Sequence, residues 1–135
     1  MLRCGLLIIP LLMSLGCGSD QIPTYPVTGR VEFTDGTPVR HGTIELESAD
    51  HELSAAGKIQ HDGSFVLGTY TPDDGAVAGE HKAIVVQMVI ADGSFEHTVD
   101  HGKPVPVRYA AYETSSLTAK VEAVESNEIV LQITP

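Results

Sequence analysis

The chain has 135 residues, 42% of them hydrophobic and only 5% aromatic, which supplies one modest core and argues against two domains and against most large enzyme folds. Eight Lys and Arg stand against 18 Asp and Glu, a formal net charge of -10, and so acidic a surface repels phosphate backbones, which argues against nucleic acid as a partner. Both cysteines, Cys4 and Cys17, lie in the first seventeen residues, so the rest of the chain has no disulfide with itself.

Arg3 carries the only positive charge ahead of an apolar run, Gly5 to Leu15, with five leucines, two isoleucines and a methionine, which stops at Gly16-Cys17-Gly18-Ser19-Asp20. That order is the order of a secretory signal peptide. The run is broken by Pro10 and falls short of the roughly 20 residues that a membrane-spanning helix needs, so a transmembrane anchor is the weaker reading. A cysteine just after a small residue resembles the bacterial lipobox: Gly16 stands where the pattern wants it, while Ser14-Leu15 reverses the usual leucine-then-small order. The resemblance implies removal of residues 1–16, lipidation of Cys17 and a body tethered to a membrane; the alternative is a plain secretory signal, Cys17 incidental and the product secreted. By the same analogy Gly18, in place of the aspartate that retains some lipoproteins in the inner membrane, points outward.

Residues 21–26 hold two prolines and no period, which reads as a brief tether. From Val27 onward Val27, Gly29, Val31 and Phe33 alternate with polar neighbours, the period of a strand with one buried face. The alternation recurs at Ile44 and Leu46, at Leu117, Ala119, Val121 and Ala123, and at Ile129, Leu131 and Ile133. Asp62-Gly63 and Asp92-Gly93 read as two-residue type I′ hairpin turns, and Asp35-Gly36 as the start of a longer connection. About seven short strands predict an all-β fold, an antiparallel Greek-key β-sandwich over residues 27–135.

Residues 83–90 are apolar on both faces, with Ile84, Val86, Met88 and Ile90 on one and Val85 and Val89 on the other. That reads as a central strand covered on its second face, or as a docking surface. The expected cover is Lys103 to Ser116, through Val105, Val107, Tyr109 and Tyr112.

Chemistry-bearing patterns are sparse. His97 and His101, with Asp100 beside them, have the spacing of a helical zinc pair, but in a strand they lie roughly 13 Å apart. His41, His51, His61 and His81 read as isolated, solvated residues near turns, and no metal or other cofactor is expected. Asp73-Asp74-Gly75 reads as a turn rather than a calcium loop, and Thr114-Ser115-Ser116 as a polar loop entering a strand. No Gly-x-Ser-x-Gly elbow, phosphate-binding loop or dinucleotide fingerprint occurs.

Val27-Thr28-Gly29-Arg30-Val31-Glu32-Phe33, leading through Asp35-Gly36-Thr37-Pro38-Val39 to Gly42-Thr43-Ile44, resembles the carboxypeptidase regulatory-like, transthyretin-like sandwich. Gly57-Lys58-Ile59, Asp62-Gly63-Ser64-Phe65 and Gly79-Glu80-His81-Lys82-Ala83 are similar to its later strands, and the whole exported part is similar to small lipoproteins of planctomycete-type bacteria. The resemblance implies a non-catalytic accessory domain on the outer side of a membrane, with an envelope protein or a glycan as its partner. The Tyr-Arg-Gly-Ser ending of the related hydroxyisourate hydrolases is missing. The alternatives are a carbohydrate-binding module, for which Tyr25, Tyr70, Tyr109 and Tyr112 are the available aromatics, and a small metal-assisted hydrolase using His97, Asp100 and His101.

Overall fold

Alternating residues give strands with one apolar face, and such faces leave water only by meeting a second apolar layer. The computed structural model describes residues 18, 20–88 and 100–135. The apolar leader, Cys17, Val89, Ile90, the expected turn at Asp92-Gly93 and His97 lie outside them. The strands are β1 (Thr24–Tyr25), β2 (Val27–Phe33), β3 (Thr43–Ser48), β4 (Ser54–Lys58), β5 (Ser64–Val66), β6 (Ala76–Val77), β7 (Gly79–Val86), β8 (Thr118–Val121) and β9 (Asn127–Ile133). Among the described residues a 3-10 turn covers Val107–Ala110. The fold is all-β: a three-stranded sheet, β5-β2-β9, and a four-stranded sheet, β4-β3-β7-β8, packed as a sandwich, with a small β1-β6 ribbon.

The core is where the alternation puts it. Val27, Val31 and Phe33 of β2 and Ile129, Leu131 and Ile133 of β9 share one cluster with Ile44, Leu46, Ala83, Val85, Ala119 and Val121 of the facing sheet. Gly29 sits opposite Phe65, and a Cβ there would lie 2.5 Å from that ring, so the aromatic fills the room that the glycine leaves. Ala123, expected to continue the β8 alternation, is exposed because β8 ends at Val121.

Several expectations are corrected. The sheets are not purely antiparallel: β2 and β9 run parallel, in register from Val27↔Asn127 to Phe33↔Ile133. The supposed tether contributes β1, whose Thr24 and Tyr25 pair with Val77 and Ala76. The Asp62-Gly63 turn does reverse the chain, but it does not join two strands of one sheet. Its arms meet at Gln60–Ser64 and Ala56–Gly68, while between those points β4 pairs with β3 and β5 with β2. The turn thus carries the chain across the edge of the sandwich.

It is also not type I′, which needs positive φ at both central residues. Only Gly63 (φ 85) has it, and Asp62 instead uses its Oδ1 to accept from the Ser64 amide at 3.0 Å. Asp35-Gly36 repeats the device: Gly36 has φ 86, the Gly36 amide donates to the Phe33 carbonyl at 2.8 Å, and Asp35 Oδ1 accepts from the Thr37 amide at 2.9 Å. An aspartate that bonds forward holds its own backbone on the right-handed side and leaves the left-handed position to the glycine.

Residues 103–116 do cover the sandwich, though not as expected. Tyr109 enters the core and Val105 packs against it, whereas Val107 is 87% exposed. Tyr112 reaches the outer face of the larger sheet and donates to Glu45 Oε1 at 2.9 Å, beside Ile84, the cross-strand partner of Glu45. Ile84 is buried, but Met88, two residues past the end of β7, is 81% exposed, so the cover stops short of the end of this apolar run.

Gly75 shows how tightly β1 is held. It has φ 86, its amide donates to the Leu67 carbonyl at 2.9 Å, and a Cβ there would lie 1.8 Å from the Tyr25 carbonyl oxygen. Gly75→Ala is expected to cost about 2–4 kcal/mol, seen as a lower urea midpoint. An unchanged midpoint would show that β1 does not lie against this turn.

Candidate functional site

The side chains that β2, β5 and β9 turn away from the core form the floor of a cleft of about 870 Å³. Register sets the floor: Thr28 lies between Val66 and Glu128, and Arg30 between Ser64 and Val130. Lys58 and Gln60, from β4 and the crossing turn, form one wall, and Pro72 and Asp73 add to the rim. The cleft exists because β4 and β5 separate between their two bridges, which opens the corner of the sandwich beside the outer face of the smaller sheet.

Its charge is mixed. Arg30 and Lys58 are set against Asp62, Asp73 and Glu128, and Arg30 is steadied by Glu32 at 2.7 Å. Asp62 is held below the ordinary carboxylate value by the Ser64 hydroxyl and amide. Two hydroxyls, two cations and two half-exposed valines suit a ligand with alternating polar and apolar groups. No histidine or cysteine is among the described lining residues, and the Ser64 hydroxyl donates to Asp62 Oδ1 at 2.5 Å.

The rim is built by one carboxylate. Asp74 Oδ1 accepts from the Thr69 amide at 2.6 Å, and Oδ2 accepts from the Tyr70 and Thr71 amides at 3.0 and 3.1 Å. Burial alone pushes this carboxyl up, but the three amides outweigh it and hold it below its ordinary value. The Thr69 hydroxyl donates to the Gly75 carbonyl at 2.8 Å. The acidic Asp73-Asp74-Gly75 run is a loop that satisfies itself.

The histidines fall into unlike settings. His41 and His101, sixty residues apart, bring their rings together at a tilt of 55° with centroids 4.5 Å apart, and His41 Nδ1 lies 3.1 Å from the His101 carbonyl oxygen. His41 is thus not isolated, contrary to the expectation from its place near a turn; no spacing marks a pair made by the ends of two connections. Gln87 ties this end together, donating to the His41 carbonyl at 3.1 Å and accepting from the Val105 amide at 2.8 Å. Asp100, expected beside His101 as a possible ligand, instead accepts from the Gly102 amide at 2.8 Å and pairs with Arg40, and these two partners lower its carboxyl. Among the described residues no group of three metal-ligating side chains occurs.

His81 is the other correction, since it is only 3% exposed on the inner face of β7. Burial pushes its imidazole down, against the opposing hydrogen bond to the Gly79 carbonyl at 3.1 Å. The hydroxyls of Thr114-Ser115-Ser116 are structural where the bonds are seen: Ser115 Oγ donates to the Ala83 carbonyl at 2.6 Å and Thr114 Oγ1 to the Arg108 carbonyl at 2.7 Å. No protein-family model matches the chain, and neither a curated protein nor a solved structure matches it.

Asp74 yields a pH-dependent test. Its carboxyl is lower in the folded chain than its ordinary 3.8, so its contribution is complete above that value and is lost as pH falls through the lower folded value. Asp74→Asn is expected to cost about 1–3 kcal/mol at pH 7 by urea unfolding, with the gap to wild type narrowing by about pH 3. A gap that stays constant between those pH values would show that the carboxylate's charge plays no part in holding the loop.

Proposed function

We propose that the chain is an exported, lipid-anchored and non-catalytic β-sandwich domain that serves as a binding or structural module of the cell envelope. The observation that carries this reading is the order of the N-terminus: a charged residue, a short apolar run, Gly16-Cys17, and then almost at once a folded body. Thr24 is already paired with Val77, so seven residue steps separate it from Cys17, a reach of about 24 Å at full extension. An acylated Cys17 therefore holds the domain close to the membrane surface. No helix of the described residues is long and apolar enough to cross a membrane.

The all-β sandwich supports membership of the carboxypeptidase regulatory-like, transthyretin-like group with Greek-key connections, and the outer-face cleft is the surface that the anchored domain displays to an envelope protein or a glycan. A sugar site built on stacking has less to stand on, because Tyr109 is buried and Tyr112 is bonded to Glu45. The metal-assisted hydrolase likewise loses Asp100 to Arg40 and Gly102.

Growth with a clickable fatty acid is expected to label the wild-type chain and leave Cys17→Ala unlabelled, with the variant shifted out of the membrane fraction. Equal labelling of both would refute the anchor.

A further inference from the structure

We propose that the free edge of β9 is a self-association surface, at which two copies of the chain pair antiparallel about Val130. A strand at the margin of a sheet offers unpaired N–H and C=O groups that take up another strand unless something blunts them. Four margins exist in the two sheets. Those of β4 and β5 close on each other at Gln60–Ser64 and Ala56–Gly68. That of β8 spans only Thr118–Val121 and carries the outward Lys120, whose charge disfavours further pairing. The margin of β9 runs for seven residues, and among the described strands β9 pairs with β2 alone.

Hydrogen-bond parity identifies the groups that face outward. The Asn127 amide donates to the Pro26 carbonyl at 2.9 Å and the Ile133 carbonyl accepts from the Thr34 amide at 3.0 Å, so the odd-numbered residues of β9 bond to β2. Glu128, Val130, Gln132 and Thr134 therefore direct their backbone groups to the margin. The last is already satisfied: the Tyr109 hydroxyl accepts from the Thr134 amide at 3.0 Å, and the Thr134 carbonyl accepts from Arg108. Glu128, Val130 and Gln132 are left, all exposed.

Those three residues fit a second copy of themselves. A two-fold axis through Val130 makes Val130 face Val130 and Glu128 face Gln132, each a pair that exchanges both backbone bonds, so every outward group finds a partner. No like charges meet, since Glu128 faces an amide side chain rather than Glu128. On the inner side the same register sets Ile129 against Leu131, continuing the apolar core across the junction. Val130, 51% exposed, becomes the centre of the contact.

The test is disulfide trapping in cells that express the full chain with its own leader. Residues facing each other on the axis have Cα atoms about 5.5 Å apart, within disulfide reach, whereas Gln132 and its own copy are about 13 Å apart. Under mild copper–phenanthroline oxidation, Val130→Cys is expected to give a reducible dimer about tenfold more abundant than Gln132→Cys, while Glu128→Cys combined with Gln132→Cys restores crosslinking. The proposal is overturned if Gln132→Cys crosslinks as well as Val130→Cys, if Val130→Cys stays monomeric, or if it is joined to a chain of a different mass.

Discussion

The rest of the molecule depends on the parallel pairing of β2 with β9, in which a strand from each end of the sandwich lies side by side for seven residues. Closing a loop of about 100 residues costs entropy that grows only logarithmically with length, and the pairing returns it through apolar burial. Val31 and Phe33 sit beside Leu131 and Ile133, and all four are buried. Parallel neighbours cannot be joined by a tight turn, so the chain leaves this sheet after β2, returns to it once for β5 on the far side of β2, and returns again for β9. The Asp62-Gly63 corner and the Glu122–Ser126 connection make two of those crossings.

Buried polar groups hold the crossings in place. Asn127 Oδ1 accepts from the Glu122 amide at 2.8 Å, and Nδ2 donates to the Glu122 and Pro26 carbonyls at 3.0 and 3.3 Å. One side chain thus fixes the end of β8 to the start of both β2 and β9. Tyr109 serves at the other end, where its hydroxyl meets Thr134 after its ring has entered the core. With these clamps inward, the outer surface carries a mixed-charge cleft over the outer face of the small sheet and a strand margin beside it.

Much of this was legible in the residue order and part was not, for physical reasons. Period-two alternation reports burial directly, which is why the inner faces of β2, β3 and β9 are legible in the residue order alone. Alternation does not report which strand lies next to which, so the parallel β2–β9 ladder and the splitting of the Asp62 turn between two sheets stayed hidden. Asp74 is legible as a turn residue because its bonds are local, within five residues of it. Ser115, Asn127, Gln87 and the His41–His101 ring contact join distant segments, and no local pattern announces them. Of the candidate site, Arg30, Ser64 and Glu128 appear as ordinary outward strand positions. Only the register that lines them up makes a cleft.

The parallel register is most directly tested by long-range nuclear Overhauser contacts in the isotope-labelled chain. The ladder predicts contacts that advance together, Gly29 with Ile129, Val31 with Leu131 and Phe33 with Ile133, along with slow amide exchange at Ile129 and Leu131. Contacts that run in opposite directions, such as Val27 with Ile133, or rapid exchange at both amides, would contradict it.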